Sequence, residues 1–489
     1  MSTKQGELAP KLAEQKPAIR GALVGLSLSV LVPALGTSIA NVGLPTMAES
    51  FDATFQEVQW IVLAYLLATT TLIVAAGRLG DIIGRRRLLL AAILMFTTAS
   101  LLCGVAPTLE LLIASRALQG VGAAGMLALT MAFVAETVHK ARTGSAMGLL
   151  GTMSAVGTAL GPSLGGILIA GFGWPAIFLV NVPLGLVTLF LAYRVLPTDS
   201  REVRAGPTGF DYVGTLLLVL TLGAYALAMT VEDSTFGPLN LTLMLAAAVG
   251  LTLFIVAEAR TASPLIRLGM FRDPVLSAGL VTSALVSTVM MTTLVVGPFH
   301  LSGALELDPV SVGIVMSVGP LVAAFISSAA GRVVDRLGAT RMIVVGLSGV
   351  LAGSLGLSSM PAELGVPGYV APLVVITASY ALFQAANNTG VISNVRSNQR
   401  GLVSGMVNLS RNLGLITGAS VMGAVFAFSS GTSDITTARP EDVATGTRWT
   451  FAVATTLIAV GLAVAIGSQA LATRREQRCA GVGARATEG

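Results

Sequence analysis

Side chains able to carry charge or move a proton are few in this sequence, and some recur at matched spacings. Gly77 to Arg87 reads GRLGDIIGRRR and Gly331 to Arg341 reads GRVVDRLGATR. Both copies place an Asp four residues after a Gly, a second Gly three further on, and Arg close behind. Asp81 stands four residues before Arg85, so its carboxylate can accept the Arg hydrogen bonds and face a nearby helix N-terminus. Such a clasp at a helix seam can hold one conformation shut and release in another. Gly77 is expected to admit a second helix, and Gly84 to permit a tight turn before Arg85. Gly331 and Asp335 are the matching positions of the second copy. Arg85, Arg86 and Arg87 also act as topology determinants in this reading.

The remaining polar candidates lie inside apolar runs. By helical rise Arg116 sits about 12 Å into its run, where an Arg costs roughly 2.5–3.5 kcal/mol to insert, so it is expected to face a cavity or a partner. The alternative is a side chain reaching for the outer surface. Gln119, three residues on, shares its face. Asn41, His300, Arg411 and the trio Gln384, Asn387 and Asn388 are further cavity candidates, the trio sharing one helical face. Buried amides also serve as ties between helices, so that alternative stays open for each. A pocket with so few polar groups suits an amphipathic or lipophilic small molecule better than a sugar or a zwitterion. Proton exchange needs a titrating group, and no Asp or Glu stands clearly mid-run. Asp81, Glu136 and His300 are the candidates, or the substrate itself carries the compensating charge.

The elements that must hold these residues follow from composition. The 489 residues are 54% hydrophobic and 11% charged, with mean hydropathy +0.83, 55 Gly and net charge +5. Soluble domains carry about a quarter charged residues, so this is the composition of an integral membrane protein. A hydrocarbon core of about 30 Å takes about 20 residues of helix, which satisfies its own backbone in lipid. Fourteen apolar runs are read, at 22–45, 57–77, 88–106, 109–134, 143–171, 174–196, 211–230, 239–257, 275–302, 310–331, 341–359, 369–393, 402–428 and 449–471. The polar N-terminal stretch with Lys4, Lys11 and Lys16 leads into a retained span, with no cleavage site for a signal peptide. Of 29 Lys and Arg, this threading puts 25 on one side, the cytoplasmic one by the positive-inside rule. Both termini are therefore expected in the cytoplasm. Cys103 and Cys479 offer no disulfide framework. With two His, no metal-ligand spacing and no phosphate loop, no enzyme, metal, cofactor or ATP drive is expected. The basic balance is explained by inner loops facing anionic lipid, so no nucleic acid partner is expected.

Gly157, Gly161 and Gly165 recur every four residues, with Pro162 bending the helix beside them and Gly166 widening the groove. This face allows close helix packing that could seal a leak path, although such spacing is also ordinary membrane packing. The two Gly-Asp-Gly copies follow runs 2 and 10, and two six-helix halves would place them six runs apart. A helix pair, runs 7 and 8, is therefore read as inserted between related halves of the kind that rock around a central site.

GRLGDIIGRRR resembles the signature loop of the major facilitator superfamily, whose second copy is typically degenerate, as GRVVDRLGATR is. LLIASRALQGVGAAG at 111–125 is similar to its fourth-helix motif with a buried Arg, and GTALGPSLGG at 157–166 to its antiporter motif. QWIVLAYLLA and FLVNVPLG are similar to the fourteen-helix drug:proton antiporter branch. The resemblance implies an all-α major facilitator fold of two six-helix bundles plus two extra central helices. Its expected parts are an N-terminal tail 1–20, a bundle 21–205, an inserted pair 206–260, a second bundle 261–472 and a tail 473–489. It also implies a monomeric exporter of drugs, antibiotics or toxic lipophilic metabolites across the bacterial cytoplasmic membrane, working by alternating access in exchange for protons. One departure stands out. LGTSIANVGLP at 35–45 has Gly36 where relatives commonly carry an Asp. That weakens the proton-coupling expectation and keeps a proton-independent facilitator or importer in play.

Overall fold

The computed structural model describes residues 4–137, 143–196, 212–230, 237–261, 268–361, 364–393, 400–431 and 438–487. Helices account for nearly all of them. In chain order these are α1 (Lys4–Val42), α2 (Leu44–Phe51), α3 (Phe55–Ile83), α4 (Arg85–Gly104), α5 (Leu109–Thr137), α6 (Thr143–Phe172), α7 (Ala176–Leu179) and α8 (Asn181–Val195). There follow α9 (Tyr212–Thr230), α10 (Pro238–Arg260), α11 (Pro274–Phe299), α12 (Pro309–Leu337), α13 (Ala339–Ser358), α14 (Gly365–Ser393), α15 (Arg400–Ser430) and α16 (Pro440–Thr487). A π-helical turn, His300–Ala304, continues α11.

Local sequence explains where these helices begin and break. Pro238, Pro274 and Pro309 occupy first-turn positions, where a missing N–H costs nothing. Asp273 caps α11 by accepting from the backbone N–H of Val275 at 2.9 Å. The two Gly-Asp-Gly copies end in the same device. Gly84 has φ of 108° between α3 and α4, and Gly338 has φ of 88° between α12 and α13, conformations in which a side chain would be strained.

Among the described residues thirteen helices are long and apolar enough to cross a membrane. The expected run 57–77 lies on α3, whose 29 residues exceed the needed length and whose first turns carry Gln56, Glu57 and Gln59. The spanning helices differ in what they face. Of the apolar window of α10, 17% is buried, against 72% for α11. Leu241, Leu245, Val249 and Leu253 of α10 are exposed, as suits a helix set against lipid acyl chains.

The chain divides into two compact units, and each repeats one packing scheme. Unit 1 comprises Met1–Ala53, Trp60–Val219 and Pro309–Ser317; unit 2 comprises Thr54–Gln59, Leu220–Asp308 and Val318–Gly489. In unit 1, α1 packs on α6 and α4 on α5. A β-carbon at Gly157 of α6 would stand 2.5 Å from Leu31 O of α1, and one at Gly161 would collide with Ser38 Oγ. The Ser38 hydroxyl donates to Gly157 O across this seam at 3.3 Å. In unit 2, α11 packs on α15 and α13 on α14. Gly414 and Gly418 of α15 lie against the carbonyls of Ala284 and Thr288 on α11, and the Thr288 hydroxyl donates to Gly414 O at 3.1 Å. A Gly seam crossed by hydroxyl hydrogen bonds thus recurs in both units. The α4–α5 and α13–α14 pairs repeat a second seam, where a β-carbon at Gly122 would stand 2.7 Å from Phe96 N and one at Gly346 would stand 2.8 Å from Phe383 N. Without a hydrophobic drive between helices in lipid, such close backbone approach and cross-helix hydrogen bonds supply the cohesion.

Candidate functional site

Arg116 is fully buried in unit 1, in a socket assembled from five helices. Gly120, one turn on, has room for no side chain, since a β-carbon there would lie 2.6 Å from Tyr65 O. That close approach of α5 to α3 lets the guanidinium reach the α3 backbone. Arg116 Nε donates to Ile61 O at 2.8 Å, and Nη1 donates to Gly36 O of α1 at 3.2 Å and to Gln119 Oε1. Gln119 Nε2 in turn donates to Ser100 Oγ of α4 at 2.7 Å, and the Ser100 hydroxyl donates to Phe96 O. The guanidinium carbon lies 4.4 Å from the Tyr65 ring centroid and 5.7 Å from that of Phe178 on α7. Tyr65 is itself held, its hydroxyl donating to Pro33 O at 3.2 Å.

Every group in this socket is neutral apart from the Arg. No carboxylate of a described residue pairs with Arg116, and its Nη2 has no hydrogen-bond partner there. Guanidinium stays charged in proteins, and a buried charge without a counter-ion costs several kcal/mol even after relaxation. Carbonyl dipoles and two aromatic faces offset part of that cost. Gly36 matters doubly, because its carbonyl accepts from Arg116 and its missing side chain leaves the socket without an acid. A β-carbon there would meet Phe96 Cζ at 3.0 Å and lie 3.9 Å from Asn181 Nδ2.

The other expected residues are scattered. His300, on the π-helical turn of unit 2, is buried and stacked on Tyr369 with ring centroids 5.5 Å apart. Neither ring nitrogen of His300 nor the Tyr369 hydroxyl has a partner among the described residues. Asn387 donates to Gly279 O at 3.1 Å, a tie between α14 and α11. Gln384, Asn388 and Arg411 are half-buried, and Arg411 Nε has no partner among the described residues. Asn41 is buried and donates within its own helix to Thr37 O. Pro162 lies inside α6, and a β-carbon at Gly165 would stand 3.0 Å from Ile39 Cγ1. Gly166 lies against Pro309 O.

In the signature loops, among the described residues, a β-carbon on Gly77 or Gly331 would meet nothing within 4 Å. Gly80 lies against Leu129 of α5. Spacing shows that small residues recur, whereas helix rotation decides which one faces the neighbour. Arg85 is half-buried and Asp335 exposed. Arg86 Nη2 donates to Tyr193 O at 2.6 Å. The side chains of Asp81 and Glu136, like residue His139, lie outside the described residues. Sequence reasoning missed Tyr65, Ser100, Phe178 and Asn181 around Arg116. It also missed the seam glycines Gly414 and Gly418, whose four-residue spacing is present in GLITG.

Many membrane-length helices, two units with matching seams and one buried cation in a neutral socket define a multi-pass membrane transporter. The chain belongs to the Major Facilitator Superfamily, whose model matches residues 26–419. It is therefore a transporter and not an enzyme. It is 31% identical over 412 residues to the multidrug resistance protein Stp of Mycobacterium tuberculosis, covering 83% of this chain and 75% of Stp. It is 28% identical over 407 residues to the riboflavin transporter RibZ of Clostridioides difficile, covering 83% of this chain and 88% of RibZ. The fold matches the inward-facing, unoccupied structure of a bacterial homolog of the human lysosomal transporter Spinster with a TM-score of 0.69. That match has 14% identity and covers 93% of this chain and 97% of the other.

Proposed function

We propose that this transporter exports amphipathic or lipophilic small molecules, drugs and antibiotics among them, across the bacterial cytoplasmic membrane by alternating access, in exchange for protons. It works as a monomer with both termini in the cytoplasm. Its moving parts are the bundles 21–205 and 261–472, with the pair 206–260 set between them in sequence. The observation that carries this reading is Arg116, the buried cation whose neutral, aromatic-walled socket leaves one nitrogen free. Similarity to a multidrug resistance protein supports export. Asp81, Gly84, Arg85 and Asp335 gate the inner ends of the helices. Protons are taken up at Asp81, Glu136 or His300.

The test is purified protein in liposomes with an imposed pH gradient and a panel of lipophilic cations, anions and neutral antibiotics. Export predicts accumulation driven by the gradient and abolished when it is collapsed. A second reading, a proton-independent facilitator or importer, is favoured by Gly36 and by similarity to a riboflavin transporter. Flux indifferent to the gradient for a neutral cargo would establish it instead.

A further inference from the structure

We infer that the lipid-facing groove between α4 and α8 of unit 1 is a binding site for an anionic phospholipid, with an acyl chain in the groove and the phosphate at its Arg-bearing end. Leu90 and Leu94 of α4 and Leu186, Phe190 and Tyr193 of α8 line an open depression of about 440 Å³, within the size range of small-molecule sites. Leu94, Leu186, Phe190 and Tyr193 are all exposed, and exposed apolar side chains on spanning helices face acyl chains. From Leu186 to Tyr193 the lining runs about 10 Å by helical rise. That length and that surface suit part of an extended hydrocarbon chain.

One end of the groove is cationic. Arg86 Nη2 donates to Tyr193 O at 2.6 Å, and its guanidinium carbon lies 5.2 Å from the Tyr193 ring centroid. The guanidinium carbon of Arg194, which is exposed, lies 5.2 Å from the Phe190 ring centroid. Both cations are thus held against rings that form the groove wall. Neither α4 nor α8 contains an Asp or Glu. At this same end α4 begins with three consecutive Arg, no acid in its first turn and no side-chain cap, and a helix N-terminus itself favours an anion. Basic pockets between spanning helices at the membrane surface take phospholipid head groups, and the Arg fork matches phosphate oxygens. A zwitterionic head group brings an ammonium beside these arginines, so an anionic one is favoured.

Native mass spectrometry of the detergent-purified full chain tests this by counting bound lipids, with phosphatidylglycerol and phosphatidylcholine of the same acyl chains as probes. Wild type is expected to retain one phosphatidylglycerol per chain about tenfold or more in preference to phosphatidylcholine, and soluble glycerol phosphate is expected not to displace it. Arg194→Gln is expected to weaken phosphatidylglycerol retention about fivefold, and Arg86→Gln combined with Arg194→Gln to remove the preference. Ala91→Trp, which fills the groove and leaves every Arg in place, is expected to weaken retention comparably. Arg194 and Ala91 are exposed, so these two single variants decide the matter should the double variant fail to fold. Equal retention of the two lipids by wild type, displacement by glycerol phosphate, or unchanged retention in Arg194→Gln or in Ala91→Trp would each overturn the inference. The measurement involves no cargo and no gradient, so its failure leaves the export reading standing.

Discussion

At the scale of single residues, the account turns on which polar side chains are spent on structure. Arg116 offers three bonds to fixed acceptors, a geometry that a planar fork meets and a point ammonium does not. Arg116→Lys should therefore insert and fold yet lose transport by about tenfold or more, since its charge remains but its positioning is gone. Full transport by that variant would make Arg116 a charge and nothing more. Asn387 is the contrasting case, with its amide tied to Gly279 O. Asn387→Ala should lower the unfolding midpoint modestly, as befits an interhelical bond worth about 0.6 kcal/mol, and leave flux intact. A flux loss at unchanged stability would contradict that. Arg116 and Gln119 were legible in sequence, because a charge in an apolar run is costly and positions three apart share a face. Tyr65, Ser100 and Phe178 were not, since aromatic and hydroxyl residues are common in such helices and only tertiary packing brings three elements to one guanidinium.

At the scale of helices, glycine position matters more than glycine spacing. Gly157 and Gly414 stand where a β-carbon would press on a neighbouring backbone carbonyl, whereas one at Gly77 would meet no described residue within 4 Å. Gly157→Ala and Gly414→Ala should each lower the unfolding midpoint of the purified protein, because an overpacked seam must separate, at about 1–3 kcal/mol. Gly77→Ala should leave the midpoint unchanged or raise it, alanine being the better helix former by about 1 kcal/mol. Comparable loss in all three would show that the seams do not depend on close approach. The first seam was legible as Gly157, Gly161 and Gly165. Its counterpart at Gly414 and Gly418 carried the same spacing but no charged neighbour to draw notice. A repeat in sequence does not state the rotation of its helix.

At the scale of the whole molecule, composition and the lengths of the apolar runs carried the all-helical membrane fold. The apolar run 88–106 matches Arg85–Gly104 to within a few residues, whereas the last helix begins at Pro440 against an expected 449. Topology is checked with the two cysteines. Cys479 should react with a membrane-impermeant maleimide only from the cytoplasmic side, and Cys103, which is buried, from neither side. Labelling of Cys479 from outside would reverse the threading. The central claim is that a buried cation without an internal counter-charge takes part in moving cargo. The most direct measurement compares flux through liposomes holding equal amounts of wild type and Arg116→Gln with matched unfolding midpoints. The account predicts that the variant's flux falls to the level of empty liposomes; flux equal to wild type would contradict it.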